Sequence, residues 1–124
     1  MDIVFTDREQ DIMNVLWDHG ALTAAEVRER LTDDLAYNTV LTMLRILEEK
    51  GYVRHTEKGR AHVYHAAVER QAAATSAVRR LVRKVFRGSP ELLVMQLAED
   101  RALDDETVRR LRALLDERLG EDER

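Results

Sequence analysis

AYNTVLTMLRILEEKG, residues 36–51, reads as a helix of about four turns. Val40, Met43, Leu44 and Leu47 recur at i, i+3, i+4, i+7 and so share one face directed at a core. Asn38, Leu41, Thr42 and Arg45 repeat the same spacing on the opposite face. That second face is small, hydrogen-bonding and cationic, with one apolar member. Such a surface suits a helix that enters the major groove and meets base edges, thymine methyls and phosphates. The alternative is an ordinary amphipathic helix in which Asn38 and Thr42 are merely solvated. Gly51 supplies a stop, because glycine tolerates the left-handed conformation beyond a helix C-terminus.

Outward from this helix, the N-terminal side is a series of caps. Thr6-Asp7-Arg8-Glu9 is a capping box, with Phe5 before it as a candidate hydrophobic staple. The helix it opens runs to about Asp18 and turns Ile12, Met13, Leu16 and Trp17 inward, and Gly20 ends it. Ala21-Leu22 suits a short β-bridge or an extended link. Thr23-Ala24-Ala25-Glu26 is a second capping box, opening a helix to about Leu31 with Val27 and Leu31 inward. Thr32-Asp33-Asp34 makes a turn into the organising helix.

On the C-terminal side the period changes from helical to alternating. Residues 52–56 read as a strand, 57–60 as a polar, glycine-containing tip, and 61–65 as the return strand. Three short helices followed by a hairpin is the order of a winged helix, whose second paired helix lies in the major groove while the wing reaches the backbone or minor groove. From about Ala67 to Arg87 the chain is helical again, with Val78, Leu81, Val82, Val85 and Phe86 as its apolar stripe. Gly88-Ser89-Pro90 breaks it, and Ser89 caps a short helix with Pro90 in its first turn. That helix carries Leu92, Leu93, Met95 and Leu97. Asp104 or Asp105 caps a last helix with Val108, Leu111, Leu114, Leu115 and Leu119 inward, ended by Gly120. Roughly 55 residues of single-faced helices expose too much apolar surface to form a core alone. Burial against a symmetry mate is the simplest remedy, and two-fold symmetry presents two recognition helices about one DNA turn apart.

The expected fold is therefore mainly α with a small β-hairpin wing. An N-terminal winged helix-turn-helix DNA-binding domain, residues 1–66, is followed by a three-helix dimerisation region, residues 67–124. Val78, Leu81, Val82, Val85, Phe86, Leu92, Leu93, Leu111 and Leu115 are the candidate dimerisation residues.

Composition narrows the function classes. The 124 residues are 44% apolar and 35% charged, with five Gly and one Pro, which suits a folded, helix-rich chain. No cysteine is present, which excludes disulfides, thiolate metal sites and a cysteine nucleophile. No apolar run nears the length of a membrane span, and MDIVFTDREQ has neither the basic nor the apolar region of a signal peptide, so a cytoplasmic location without membrane insertion is expected. The net charge of −4 runs against the basic footprint of a DNA binder. Its distribution softens that objection. Residues 1–35 hold three basic side chains against nine acidic ones, whereas residues 36–66 hold five (Arg45, Lys50, Arg54, Lys58, Arg60) against three (Glu48, Glu49, Glu57). His55, His62 and His65 lie in the same positive segment. Strand alternation puts His62 and His65 on opposite faces, so they do not converge, and no metal or cofactor is expected. No Ser/His/Asp, Cys/His or glycine-rich phosphate arrangement points to an enzyme.

Taken together, these residues resemble the BlaI/MecI/CopY, or penicillinase repressor, family of bacterial regulators. The resemblance rests on Thr6 with Ile12-Met13 and Leu16-Trp17, the Thr23…Glu26 cap, LAYNTVLTMLRILEEKGYV, the Arg-Ala-His-Val-Tyr strand, and a helical arm with a Phe-Arg-Gly-Ser break. It covers nearly the whole chain. It implies a homodimer that binds a pseudo-palindromic double-stranded operator through recognition helix 37–50 and blocks transcription. By position, Asn38, Leu41 and Thr42 fall where family members touch bases. Tyr37, Thr39, Arg45 and Lys50 fall where they hold phosphates, and Lys58 and Arg60 fall in the wing.

Three departures bear on mechanism. Ile46 stands where many members have Arg. The cysteine cluster of the copper-responsive members is missing. The Asn-Phe bond that a membrane-bound sensor protease cuts in penicillin-responsive members corresponds here to Gln96-Leu97.

Several residues carry two readings. Arg79, Arg80, Arg83, Lys84 and Arg87 form either a second phosphate-binding stripe or the solvated face of an amphipathic helix. Leu41 is either a thymine-methyl contact or exposed apolar surface, and Asn38 either reads adenine or caps a turn. The rival function is a winged helix used for protein contact, as a subunit of a larger complex or an antitoxin-like partner. That rival requires an apolar patch on the recognition helix, where this chain has one Leu among Asn, Thr and Arg.

Overall fold

The computed structural model describes residues 2–123. In chain order the elements are α1 (Asp7–His19), β1 (Leu22–Thr23), α2 (Ala24–Arg30), α3 (Tyr37–Glu49), β2 (Val53–Lys58), β3 (Ala61–Ala66), α4 (Arg70–Val85), α5 (Pro90–Glu99) and α6 (Asp105–Asp122). The strands form one antiparallel sheet in the order β1-β3-β2. Three helices with this small sheet make a winged helix. No helix among the described residues is long and apolar enough to cross a membrane.

Both capping boxes form. The hydroxyl of Thr6 accepts from Glu9 N–H while the Glu9 carboxylate accepts from Thr6 N–H, and Thr23 and Glu26 repeat the exchange at the start of α2. Each box satisfies two backbone donors that the helix start leaves without partners. Phe5 does not staple the next turn of α1. It packs edge-on against Trp17 and Tyr52, at centroid separations of 6.0 and 5.0 Å. Aromatic edges prefer this geometry to a stacked one, so the N-terminal segment joins α1 to the start of the wing.

The core is continuous across the elements. Ile12 and Met13 of α1, Val27 of α2, Val40, Leu44 and Leu47 of α3, and Val53 of β2 are all fully buried, with Leu16 and Tyr64 nearly so. Met43, expected on the same inner face of α3, is only partly buried at its edge. Gly51 adopts a φ of 85°, closed to most side chains, and turns the chain out of α3. Its N–H bonds Glu48 O and the Tyr52 N–H bonds Leu47 O, both at 3.0 Å, which is a Schellman cap. The cap folds Tyr52 back onto Leu47, so β2 begins at Val53, one residue later than alternation suggests.

The hairpin tip is shorter than expected. Lys58 pairs with Ala61, leaving only Gly59 and Arg60 between the strands. Gly59 takes φ 65° at the first central position, where a two-residue turn with the strands' twist favours glycine. Leu22 and Thr23 pair with Tyr64 and Val63 and so add the third strand.

The described chain divides into two compact units, one through Val78 and one from Arg79. The first unit takes in the first turns of α4 together with the winged helix. The reason is specific bonding. Trp17 Nε1 donates to Val68 O at 2.9 Å, Arg70 lies 5.3 Å over the Trp17 ring and bonds Asp18, Ala73 is buried, and Ser76 Oγ accepts from Ile3 N–H at 2.8 Å.

The second unit holds the rest of α4 with α5 and α6. Ser89 caps α5 with Pro90 in its first turn, and Asp104 rather than Asp105 caps α6. Hydrogen bonds from Thr107 hold the Asp104 carboxyl below the ordinary aspartate range. Helix α6 runs through Gly120 to Asp122 instead of ending at the glycine. Neither α5 nor α6 contains a buried residue. Val94, Ala98, Leu103, Val108, Leu111 and Leu115 line an open apolar cleft of about 450 Å³ within this unit.

Candidate nucleic-acid interface

Helix α3 is held from three sides. Its inner residues are locked in the core. At its start, Arg28 Nε donates to Leu35 O at 2.8 Å, fixing the turn that leads in from α2. At its end, Lys50 Nζ donates to Glu9 Oε2 at 2.8 Å, joining the C-cap of α3 to the first turn of α1. Glu9 is the one buried charged residue among those described. Burial pushes its pKa up, but the Lys50 ammonium and the Thr6 N–H and hydroxyl together outweigh that push and hold it below the ordinary glutamate value.

The outer side of α3 presents Asn38, Thr42 and Arg45, all exposed, with Tyr37 and Thr39 exposed beside them. Leu41 behaves differently from the expectation. It is partly buried against the core and lines a groove of about 410 Å³ with Tyr37, Arg45, Arg60, His62 and Tyr64. Leu41 therefore forms part of the floor of a groove that α3 shares with residues of the return strand β3. Arg45 from the helix and Arg60 from the tip of the wing face this groove, and neither has an ion-pair partner among the described residues. Two unpaired guanidiniums beside one groove suit a passing phosphodiester chain, which accepts their planar donors. Lys58 is exposed one step back from the tip.

Lys50, expected at a phosphate, has a side chain 43% exposed and pairs its ammonium with the buried Glu9 carboxylate at 2.8 Å, which ties the end of α3 to α1. Nothing in the sequence couples positions 9 and 50; only the packing of α1 across α3 brings them together. Ile46 is 40% exposed and contributes no charge.

The histidines also depart from expectation. Alternation does separate His62 from His65 along β3, but pairing across the hairpin brings His62 to His55, with ring centroids 4.3 Å apart. Any tight turn at Gly59-Arg60 pairs odd-numbered residues of β2 with even-numbered residues of β3, and that parity was the available signal.

A winged helix with an outward polar recognition strip and a cationic groove beside its wing defines the class of winged-helix transcriptional regulators. Residues 5–117 match the penicillinase repressor family, and the chain belongs to that family. Its relatives are repressors rather than enzymes. The penicillinase repressor of Bacillus licheniformis is 25% identical over 114 residues, covering 90% of this chain and 89% of the relative. The methicillin resistance regulatory protein MecI of Staphylococcus aureus (strain N315) is 22% identical over 112 residues, covering 89% of this chain and 91% of the relative. Among solved structures, the Bacillus licheniformis BlaI monomeric form in complex with the blaP half-operator is 30% identical, with a TM-score of 0.50, covering 57% of this chain and 89% of that one. A transcriptional regulator from Thermotoga maritima, 20% identical with a TM-score of 0.55, covers 95% of this chain and 76% of that one, and shows the shared fold alone.

Proposed function

We propose that this chain is a dimeric transcriptional repressor. Two copies of α3 enter successive major grooves of a pseudo-palindromic operator. Asn38 and Thr42 reach base edges, while Tyr37, Thr39 and Arg45 hold phosphates and set the register. Leu41, as floor of the groove, offers at most its outer edge to a thymine methyl. Lys58 and Arg60 extend the grip along the backbone from the wing. The observation that carries this reading is the pairing of an exposed Asn38-Thr42-Arg45 strip with a rigidly buried inner face. Base reading needs polar groups held still, and Val40, Leu44 and Leu47 hold them.

The rival use of α3 for protein contact loses support, because Leu41 turns inward and leaves the outer strip polar. The apolar surface lies in the second unit instead, where Leu114, Leu115 and Leu119 are each 60% exposed. A second copy of the chain is the proposed cover for that surface. Repression then depends on two half-sites bound together, and loss of the dimer removes most of the avidity. Induction is accordingly proposed to act on the arm. Cleavage between Gln96 and Leu97 by a membrane-bound sensor protease would cut α5 in its last turn, after local unwinding of the helix.

The test is fluorescence anisotropy with DNA from upstream of the chain's own gene, against scrambled DNA, over a salt series. Preference for the native fragment, two protomers per site and steep weakening with salt are the expected results. Weak binding indifferent to sequence would remove the repressor reading.

A further inference from the structure

The register of the hairpin puts His55 and Glu57 of β2 on the same face as His62 and Tyr64 of β3. Glu57 lies directly opposite His62, and His55 lies diagonal to it. One ligand-capable atom from each of His55, Glu57 and His62 lies within 4.8 Å of the others. Glu57 Oε1 is 3.6 Å from His62 Nε2. Behind His55 stands Glu48, from the last turn of α3, whose carboxylate is 2.7 Å from Nδ1. A carboxylate only accepts hydrogen bonds, so in the neutral ring the proton sits on Nδ1 and the lone pair on Nε2. Metal-binding histidines are commonly oriented this way, by a carboxylate on the far ring nitrogen.

We infer that His55, Glu57 and His62 form a binding site for a divalent transition metal ion of the zinc type, with Glu48 positioning His55. Two imidazoles and one carboxylate select zinc and its neighbours over magnesium and calcium, which prefer oxygen-only shells. Bonds of about 2.0–2.2 Å draw tetrahedral donors to within roughly 3.5 Å of each other, so the cluster contracts on binding. Glu57 and His62 supply that movement, with side chains 72% and 46% exposed. Ring nitrogens bind in the plane of the ring, so the His62 imidazole turns out of its stack on His55. Water completes the coordination. The bound ion ties both strands of the wing, through His55 and Glu48, to the end of α3. Resting on the repressor reading above, this makes wing geometry and operator affinity responsive to metal.

The experiment uses the untagged full chain, Zn²⁺ and isothermal titration, with Co²⁺ absorption reporting the coordination. One ion per chain is expected, with His55→Ala and His62→Ala each weakening binding at least about tenfold. His65→Ala, on the opposite face, should bind as wild type. No saturable uptake, or uptake that both variants retain, overturns the site. Operator affinity is measured in parallel with and without Zn²⁺. A change in wild type that His62→Ala abolishes supports the regulatory consequence. Stoichiometric Zn²⁺ uptake that leaves operator affinity unchanged overturns that consequence alone, and failure to bind operator under either condition counts against the repressor reading.

Discussion

Replacing Lys50 with Met keeps the aliphatic stem and removes the ammonium, which separates an anchoring role from a phosphate role. The Glu9 side chain is 5% exposed and that of Lys50 is 43% exposed. Breaking a fully buried ion pair costs about 3–5 kcal/mol. Solvent reaches Lys50 and screens part of the interaction, and Glu9 retains its bond from Thr6 N–H at 2.8 Å. The expected loss is therefore about 1–3 kcal/mol, the cost of leaving a charged acceptor short of one partner. Glu9→Gln in the Lys50→Met background should recover part of it, because an amide there leaves no unpaired buried charge.

The dependence on pH has a definite sign. The folded state holds the Glu9 pKa below the ordinary value of 4.5, so the stabilisation is complete above that value and is lost as the pH falls through the folded pKa. The gap between wild type and Lys50→Met should be full at neutrality and close in acid. Urea unfolding followed by Trp17 fluorescence reads it as a midpoint shift at constant slope, at equal protein concentrations because the chain is proposed to dimerise. A stability loss below a few tenths of a kcal/mol, together with a salt slope of DNA binding reduced by about one, would return Lys50 to the phosphate backbone and refute the anchoring argument.

Other perturbations probe the interface and the arm. Asn38→Ala should relax operator preference at one base pair per half-site, costing about 1–3 kcal/mol per contact, as read by anisotropy against single-base operator variants. Arg45→Ala, removing one of the two groove arginines, should weaken binding to all sequences alike and lower the salt slope by about one per protomer. Leu115→Glu, at a side chain 60% exposed in the second unit, should yield monomers in sedimentation while leaving unfolding of the first unit unchanged. A dimer that persists would place the interface elsewhere.

Much of the first unit was legible in local chemistry. Thr6, Glu9, Thr23 and Glu26 are capping residues at the required spacing, and both boxes form. The inner stripe Val40, Leu44 and Leu47 repeats with the helical period and is fully buried. Ser89 with Pro90 announced α5 in the same way. Each of these signals acts within a few residues, so it survives without knowledge of what lies across the fold. The attachment of the start of α4 to α1 and the N-terminal segment was not legible, because Trp17 to Val68 and Ile3 to Ser76 are bonds between distant parts of the chain.

By itself, the sequence determined the element order, the caps, the winged-helix class and the polar strip of α3, because periodicity and capping are properties of short stretches. Tertiary structure decided which outward residues are available. Leu41 shares a periodic face with Asn38 and Arg45, yet it packs partly against the core and lines a groove with His62 and Tyr64 of β3. Lys50 is cationic and near the interface, yet α1 brings Glu9 to within 2.8 Å of its ammonium. His55, Glu57 and His62 lie on two strands and meet only once the Gly59-Arg60 turn sets the register. Side chains on one local face diverge in role when different distant elements pack against them, and that packing is not a local property.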